Sequence, residues 1–505
     1  MRFYVTTPIY YVNSTPHIGH AYTTIAADIL ARHHKQRGEE TFFLTGIDEH
    51  ASGVYRVAQE QGIDPTEYID QIAVAWKELP ERLNARTDFF IRTSDEEHKR
   101  FVREFVQRIY DNGDVYEDVY SGFYCVSCEA FYSEDELLEG GLCPIHERPT
   151  EWIEEKNYFF RLSAYQDKLL QLYDERPEFV LPGFRYNEAR SFIAGGLRDF
   201  SISRAGQPWG VQLPWDESQV AYVWVDALPN YLSALTYARP GEDLTPEFWP
   251  VAHHLMAKDI LRFHCVYWPA LLMSAGYDVP KQIFVHGYLL LEDKKISKSR
   301  GNVVDPLPLI DTYGADPVRF WCARAISFGQ DGSSSLDAVH ERYERELAND
   351  LGNLVSRTTA MIARYRNGRL TRAEGAPAAD FEALRAGLVE RLDRLDITGA
   401  VDLVWQVVRR LNQYVEETAP WQLAKDEARA AELDLVLANL ADGLVAVAVA
   451  LAAYLPETAP KILEALGQST DLSLDRIRSG AAEPVEGILP AEPLFPRIEL
   501  PTAPA

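Results

Sequence analysis

Cysteine is scarce: five in 505 residues. Three of the five fall in one short stretch, which excludes a disulfide framework and points to a metal site in a reducing compartment. No basic start followed by a long apolar run opens the chain; Met1 to Thr7 leads straight into patterned sequence, so no secretory signal is expected. The uncharged stretch Gly443 to Leu455 is 13 residues long. A bilayer span needs roughly 18 to 20, so a buried bundle helix is the expectation there. Positive charge is also in deficit, with 50 Lys and Arg against 76 Asp and Glu, a net −26. Phosphate contacts need Lys and Arg, so any nucleic-acid contact is confined to limited basic strips and is strongly salt-sensitive. No internal repeat is visible. What remains is 47% apolar residues, material for several cores and three or four domains.

Residues 2–7 alternate towards a strand, and Pro8 to Asn13 read as a loop. Thr15-Pro16 reads as a helix N-cap followed by proline at the first helical position. Ile18, Tyr22, Ile25 and Ile29 recur at helical period, and Gly38 ends the helix. Thr41 to Gly46 is a second strand, so the N-terminal part predicts a Rossmann-like α/β domain with a parallel sheet. Residues 116–224 hold the cysteine cluster, many aromatics and several Gly-Gly or Pro-Gly turns, and read as an insertion. The α/β pattern resumes near Val220 to Trp224. It continues through a strand Val251 to Met256, a helix beginning near Asp259 and a strand Ile283 to Leu291. From about 336 onward the chain is helical, with a loop at Gly375 to Ala379 and a Pro-rich last 33 residues that wrap the surface. The division predicted is 1–115 and 225–285 for the two halves of the Rossmann domain, 116–224 for the insertion, 286–345 for a linker domain and 346–505 for an all-α bundle with a tail.

Three motifs carry chemistry. His17-Ile18-Gly19-His20 sits in the first turn of the helix after strand one. Its histidines, three apart, share a face, and the helix start offers N–H groups and a positive dipole to a phosphate chain. Gly19 removes a side chain where an adenine could lie close. Alone, the tetrapeptide is equally two surface histidines at a helix start. Lys295-Ile296-Ser297-Lys298-Ser299, beside Lys294 and past a strand, can neutralise charge as pyrophosphate leaves. Alone it reads as an ordinary basic loop. Both together, in this order and each after a strand, reinforce each other. The third motif is Cys125-x2-Cys128-x14-Cys143-x2-His146. Two pairs at this spacing close a tetrahedral site for one zinc; with all four positions filled by protein the metal is structural.

The first two motifs resemble the HIGH and KMSKS signatures of class I aminoacyl-tRNA synthetases. Their surroundings look specifically like the methionyl-tRNA synthetase family. The matching stretches are Thr6 to His20, Phe43 to His50 (FLTGIDEH), Tyr222 to Tyr231 (YVWVDALPNY), Lys258 to Pro269, His286 to Asn302 and Ala419 to Lys425. Ile296 stands where Met is usual, and Ala257 replaces a common glycine. The resemblance implies ATP with Mg²⁺ as substrate complex, and methionine and methionine tRNA (initiator and elongator) as partners. For the side-chain pocket it implies Ile9, Tyr11, Trp224, Ala227, Tyr231, Ile260 and His264; sulfur favours aromatic contacts. Spacing alone leaves Ile260, Phe263 and His264 as the inner face of a helix. Asp48 would hold the α-ammonium, although by position it could equally cap a helix. His17, Gly19, His20, Asp259, His286, Gly287, Lys295, Ser297 and Lys298 would bind ATP, with His17, His20, Lys295 and Lys298 catalytic and Asp259 on the ribose. Asn353, Arg357 and Trp421 fall where the family contacts the CAU anticodon, though Trp421 after a proline is also an ordinary core residue. The cysteine set looks like the knuckle of the family's connective insertion, too short here for a large editing domain. The chain shows no appended RNA-binding and dimerising domain, so a cytoplasmic monomer is expected.

Three other readings compete. A small nucleotidylyltransferase would need neither knuckle nor bundle. A cysteine-specific class I enzyme would hold its zinc at the amino-acid site. An inactive tRNA-binding paralogue is opposed by intact His17, His20, Lys295 and Lys298.

Overall fold

The structure is a computed structural model and describes residues 1–12, 15–126, 129–145, 147–291, 294–295, 304–373 and 375–498. Six strands form the main sheet: β1 (Arg2–Tyr11), β2 (Glu40–Asp48), β3 (Phe89–Arg92), β4 (Val180–Leu181), β5 (Ala252–Ala257) and β6 (Gln282–His286). Their order is β3-β2-β1-β5-β6-β4, all parallel. The order reverses between β1 and β5, the switch point at which open α/β sheets bind ligands beyond the strands' carboxyl ends.

Alternate side chains along the strands serve two cores, as the period of two dictates. Phe3, Val5, Phe43, Leu255 and Phe284 face helix Ile18–Gln36 and share one continuous core with the C-terminal bundle. Tyr4, Phe42, Leu44, Met256, Ile283 and Val285 face the other way, towards the insertion. Arg319 is fully buried where these parts meet. It donates to the carbonyls of Leu83, Ala453 and Tyr454 and pairs with Asp28 at 2.7 Å. Buried guanidinium and carboxylate are both accounted for, as burial of charge requires.

Several boundaries differ from the sequence reading. Pro8 lies within β1, not in a loop; the register against β2 shifts between Thr6 and Ile9, and an irregularity is where a strand tolerates proline. The first helix is capped by His17, not Thr15. The stretch 116–224 is not wholly an insertion, because β4 completes the main sheet from within it. Val220 and Ala221 belong to a small antiparallel sheet, so the main pattern resumes only at β5. Near Asp259 a 3-10 turn, Lys258–Ile260, is followed by a wide π-helical turn, Phe263–Tyr267. The run Ile283 to Leu291 is two strands, β6 and Leu289–Leu291, in different sheets. The helix around Gly443 is longer than its uncharged core. Glu427–Leu451, 25 residues containing an 18-residue window of mean hydropathy 1.9, is long and apolar enough to cross a membrane by length and composition, yet that window is 83% buried inside the protein. The tail does more than wrap: Ile477, Ala481, Ile488 and Phe495 are buried, and Asp442 accepts from the Gly480 and Ala482 N–H groups.

Candidate active site

The histidine motif builds its own helix start. The N–H of Gly19 donates to His17 Nδ1 at 3.1 Å, and the N–H of His17 donates to His20 Nδ1 at 3.1 Å. These bonds satisfy amides that a helix start leaves without intrahelical acceptors. The two rings stack at 3.7 Å, and Tyr10 and Trp76 pack against His20, each 4.7 Å away. A neutral imidazole accepting at Nδ1 carries its proton on Nε2, so both rings are fixed as Nε2–H donors. Gly19 has a structural reason as well as the expected one: a Cβ there would lie 2.9 Å from His17 Cε1 and disturb the cap.

His286, at the end of β6, ties that strand to the same helix. Thr23 Oγ1 lies 2.9 Å from its Nε2, and its Nδ1 lies 2.8 Å from the Gly287 carbonyl oxygen, which only an N–H can satisfy. Burial pushes the imidazole down to about 4, so it is neutral at pH 7. Gly287 is a point of close approach: a Cβ would sit 2.3 Å from the Gln330 carbonyl carbon. That closeness lets Leu289–Leu291 pair with Gly332–Ser334 on one side and with Lys294–Lys295 on the other. The backbone of Lys295 is thus carried on a small sheet that follows β6. Ile296, Ser297 and Lys298 lie outside the described residues. Asp259 is exposed in the turn after β5. With Lys258, Tyr288 and Asp331 it lines a cavity of about 920 Å³ that Tyr132, Pro144 and Ile145 also line. Lys258 pairs with Asp331 at 2.5 Å and lies 4.6 Å from the Tyr288 ring centre.

The residues assigned to an amino-acid pocket converge on the other side of β1. Tyr11 is directly opposite Asp48, and Ile9 opposite Gly46, in the β1–β2 register. Tyr11 meets Trp224 edge-on at 5.9 Å. Trp224 and Ala227 share the buried helix Val223–Ala227. The Trp224 ring stacks on Phe263 at 4.0 Å and 7°, with His264 edge-on at 5.9 Å. Tyr231 Oη is 2.7 Å from His264 Nε2, while His264 Nδ1 faces the Ile260 carbonyl at 3.1 Å. His264 must therefore donate from Nδ1 and accept from the tyrosine, and burial holds it neutral, down to about 4. Asp48 caps no helix; its Oδ1 accepts from the His50 N–H at 3.2 Å. Burial, then the nearby Asp226 carboxylate, raise its pKa well above the usual carboxylate range. A cation at Asp48 would relieve both effects.

Of the four knuckle residues, Cys128 and His146 lie outside the described residues. Cys125 and Cys143 are buried in one small cluster with Tyr132. Cys125 closes the strand Val115–Cys125 of a hairpin whose turn ends at Glu129, a residue with positive φ. Cys143 opens a tight turn, its carbonyl accepting from Glu147 and its N–H donating to Arg148. Two turns each start at a buried thiol, which fits a zinc donor set. In the bundle, Asn353 is exposed and Arg357, one turn on, pairs with Glu416 at 2.7 Å. Glu416 is in the last turn of helix Ile397–Thr418, and the half-buried Trp421 follows in the short helix Pro420–Leu423.

Sequence reading missed the partners of these residues. Asp226, between His50 and His98, lay unremarked inside the quoted YVWVDALPNY stretch, and His50 closed the quoted FLTGIDEH. A buried acid flanked by pocket residues was the available signal.

A switch-point cleft, a histidine-capped helix after strand one and a lysine-bearing hairpin beyond the last inner strand define the class I aminoacyl-tRNA synthetase architecture. The family model for class I tRNA synthetases (M) matches residues 3–151 and 138–359. The chain is 42% identical over 505 residues to the methionine–tRNA ligase of Caldanaerobacter subterraneus, covering 99% of this chain and 79% of that protein. It is 43% identical over 509 residues to that of Thermotoga maritima, covering 99% and 81%. Mycobacterium tuberculosis methionyl-tRNA synthetase in complex with methionyl-adenylate superposes with a TM-score of 0.93 at 40% identity, covering 98% of this chain and all of the other. The chain belongs to the methionyl-tRNA synthetase family.

Proposed function

We infer that this site activates L-methionine with ATP and then charges methionine tRNA. In the first step a methionine carboxylate oxygen attacks the α-phosphorus, the bond to the bridging oxygen breaks, and pyrophosphate leaves. In the second, the terminal ribose hydroxyl of the tRNA attacks the adenylate carbonyl carbon and AMP leaves. Phosphoryl-type transfer asks mostly for orientation and charge stabilisation. The observation that carries the residue assignment is the double histidine cap: both Nδ1 atoms accept from backbone N–H groups, which holds the two stacked imidazoles together at the start of the helix after strand one. His17 and His20 are assigned to the phosphates, Lys295 and Lys298 to the leaving pyrophosphate, Asp259 to the ribose and Asp48 to the methionine ammonium. His286, Gly287 and Ser297 are assigned to ATP. Ile9, Tyr11, Trp224, Ala227, Tyr231, Ile260 and His264 form the thioether slot. Mg²⁺ would accompany ATP and screen its phosphates. Cys125, Cys128, Cys143 and His146 would hold one zinc that fixes the knuckle. Asn353, Arg357 and Trp421 would read the anticodon.

We assign the protein to the cytoplasm as a monomer. Lys298→Ala tests the mechanism. Exchange of pyrophosphate into ATP should fall by a large factor while methionine binding changes little; a pure binding defect would remove the loop from the transition state.

A further inference from the structure

Behind Asp48 lies a buried His–Asp–His chain that the reaction scheme does not use. Asp226 is completely buried in helix Val223–Ala227, between Trp224 and Ala227. Its Oδ2 is 2.5 Å from His50 Nδ1. Its Oδ1 and its carbonyl oxygen are each 3.2 Å from His98 Nε2. His98 is fully buried in helix Glu96–Asp111, and its Nδ1 is 2.7 Å from Ser233 Oγ, on helix Asn230–Tyr237. His50 is two residues beyond Asp48 and supplies the N–H that Asp48 Oδ1 accepts. Trp209 packs edge-on against the His50 ring at 5.4 Å and donates its indole N–H to the Glu49 carbonyl.

One carboxylate thus joins four segments: the strand end bearing Asp48, the pocket helix bearing Trp224 and Ala227, helix Glu96–Asp111, and the helix bearing Tyr231. Burial by itself would keep Asp226 protonated, but the charges and hydrogen bonds of His50 and His98 outweigh it and bring the acid down to about 2. A fully desolvated carboxylate is retained at a cost unless its bonds are directional and complete. Here they are directional: both oxygens face imidazole nitrogens from opposite sides. The two halves of an amino-acid site, an anion for the ammonium and a slot for the side chain, must keep a fixed separation to select one side-chain length.

We propose that Asp226, through His50, is a positioning residue for methionine recognition, holding the ammonium-binding carboxylate in register with the side-chain slot. The proposal rests on the assignment of Asp48 to the ammonium. It places Asp226 and His50 outside direct contact with substrate. It makes them determinants of methionine affinity and of discrimination by side-chain length, not of ATP handling.

The test is pyrophosphate exchange with the full chain and four variants, His50→Ala, His50→Asn, Asp226→Asn and Asp48→Asn, each also followed by thermal melting. His50→Ala and Asp226→Asn should raise KM for methionine about tenfold or more, with KM for ATP within about twofold. His50→Asn should recover most of the loss, because its amide N–H can stand where Nδ1–H stood. The positioning role also predicts a lower methionine-to-norvaline ratio of kcat/KM in His50→Ala, because norvaline is one chain atom shorter than methionine. A merely structural role would lower the melting temperature and both substrates' parameters together, without rescue by His50→Asn, and would overturn the proposal. If Asp226→Asn fails to fold, the His50 pair decides alone. Asp48→Asn separates the two layers of reasoning. An unchanged methionine KM there defeats the ammonium assignment itself; a raised KM there with normal His50 variants defeats only the positioning role.

Discussion

Gly287→Ala is a one-methyl change with a large expected consequence. The added Cβ would lie 2.3 Å from the Gln330 carbonyl carbon and 2.4 Å from the Asp331 nitrogen. Both are backbone atoms, so no side chain can swing away. Ordinary van der Waals contact begins near 3.4 Å, so the two backbones must part by about 1 Å. Two bonds close this junction, the Tyr288 N–H to Asp331 Oδ1 at 2.8 Å and the Gly332 N–H to the Tyr288 carbonyl at 3.1 Å. Parting by that amount removes both. At about 1 kcal/mol per bond, with part of the strain relieved by the movement, the local cost is about 2–4 kcal/mol. The strand that moves leads directly to Lys295, whereas Asp48 and Trp224 lie across β1. Pyrophosphate exchange should therefore fall about 30-fold or more, equivalent to about 2 kcal/mol in the transition state. Methionine affinity, followed by tryptophan fluorescence, should change by less than about twofold. Normal exchange, or a parallel loss of methionine binding, would refute the view that Gly287 positions the lysine-bearing hairpin.

Purified protein should contain one zinc per chain, and Cys143→Ser should lose it and become protease-sensitive around residues 126–150; metal analysis of chelator-free protein showing none would refute the knuckle. Trp421→Ala should melt normally and exchange pyrophosphate normally, but lose about tenfold or more in kcat/KM for tRNA charging, about 1.4 kcal/mol. Early melting with joint loss of both activities would make Trp421 a core residue instead. Burial lowers His33, His34 and His253 to about 3, and His264 and His286 to about 4, from 6.5. The unfolded chain therefore takes up these protons first. Their contribution to stability is full above the unfolded value of 6.5 and is lost as pH falls towards 4 to 3. Melting temperature should fall steeply from about pH 6.5 to about pH 4.5; a flat profile would contradict neutral burial.

Local patterning made much of this legible. The parallel sheet, the histidine motif at a helix start and the buried bundle helix all follow from short-range signals. Boundaries failed where long-range contacts decided them. Pro8 enters a strand because β2 supplies a matching irregularity. Val180–Leu181 joins the main sheet only by pairing with β6, from a segment whose composition spoke of an insertion. The histidine cap was invisible because imidazole is an unusual cap, and Thr15-Pro16 offered a commoner one. Pocket residues such as Tyr11 and Asp48 were named by resemblance; their adjacency rests on a strand register no spacing rule supplies. Asp226, His50 and His98, separated by up to 176 residues, meet only in the folded chain.

The central claim is that the switch-point cleft activates methionine. Amino-acid-dependent ATP–pyrophosphate exchange, run without tRNA across all twenty amino acids, tests it most directly. Methionine should support exchange far above every other amino acid, with kcat/KM for the nearest apolar competitors lower by at least about tenfold, since an apolar slot separates near-isosteres by about 1–3 kcal/mol. Equal or faster exchange with cysteine, leucine or isoleucine would contradict the account.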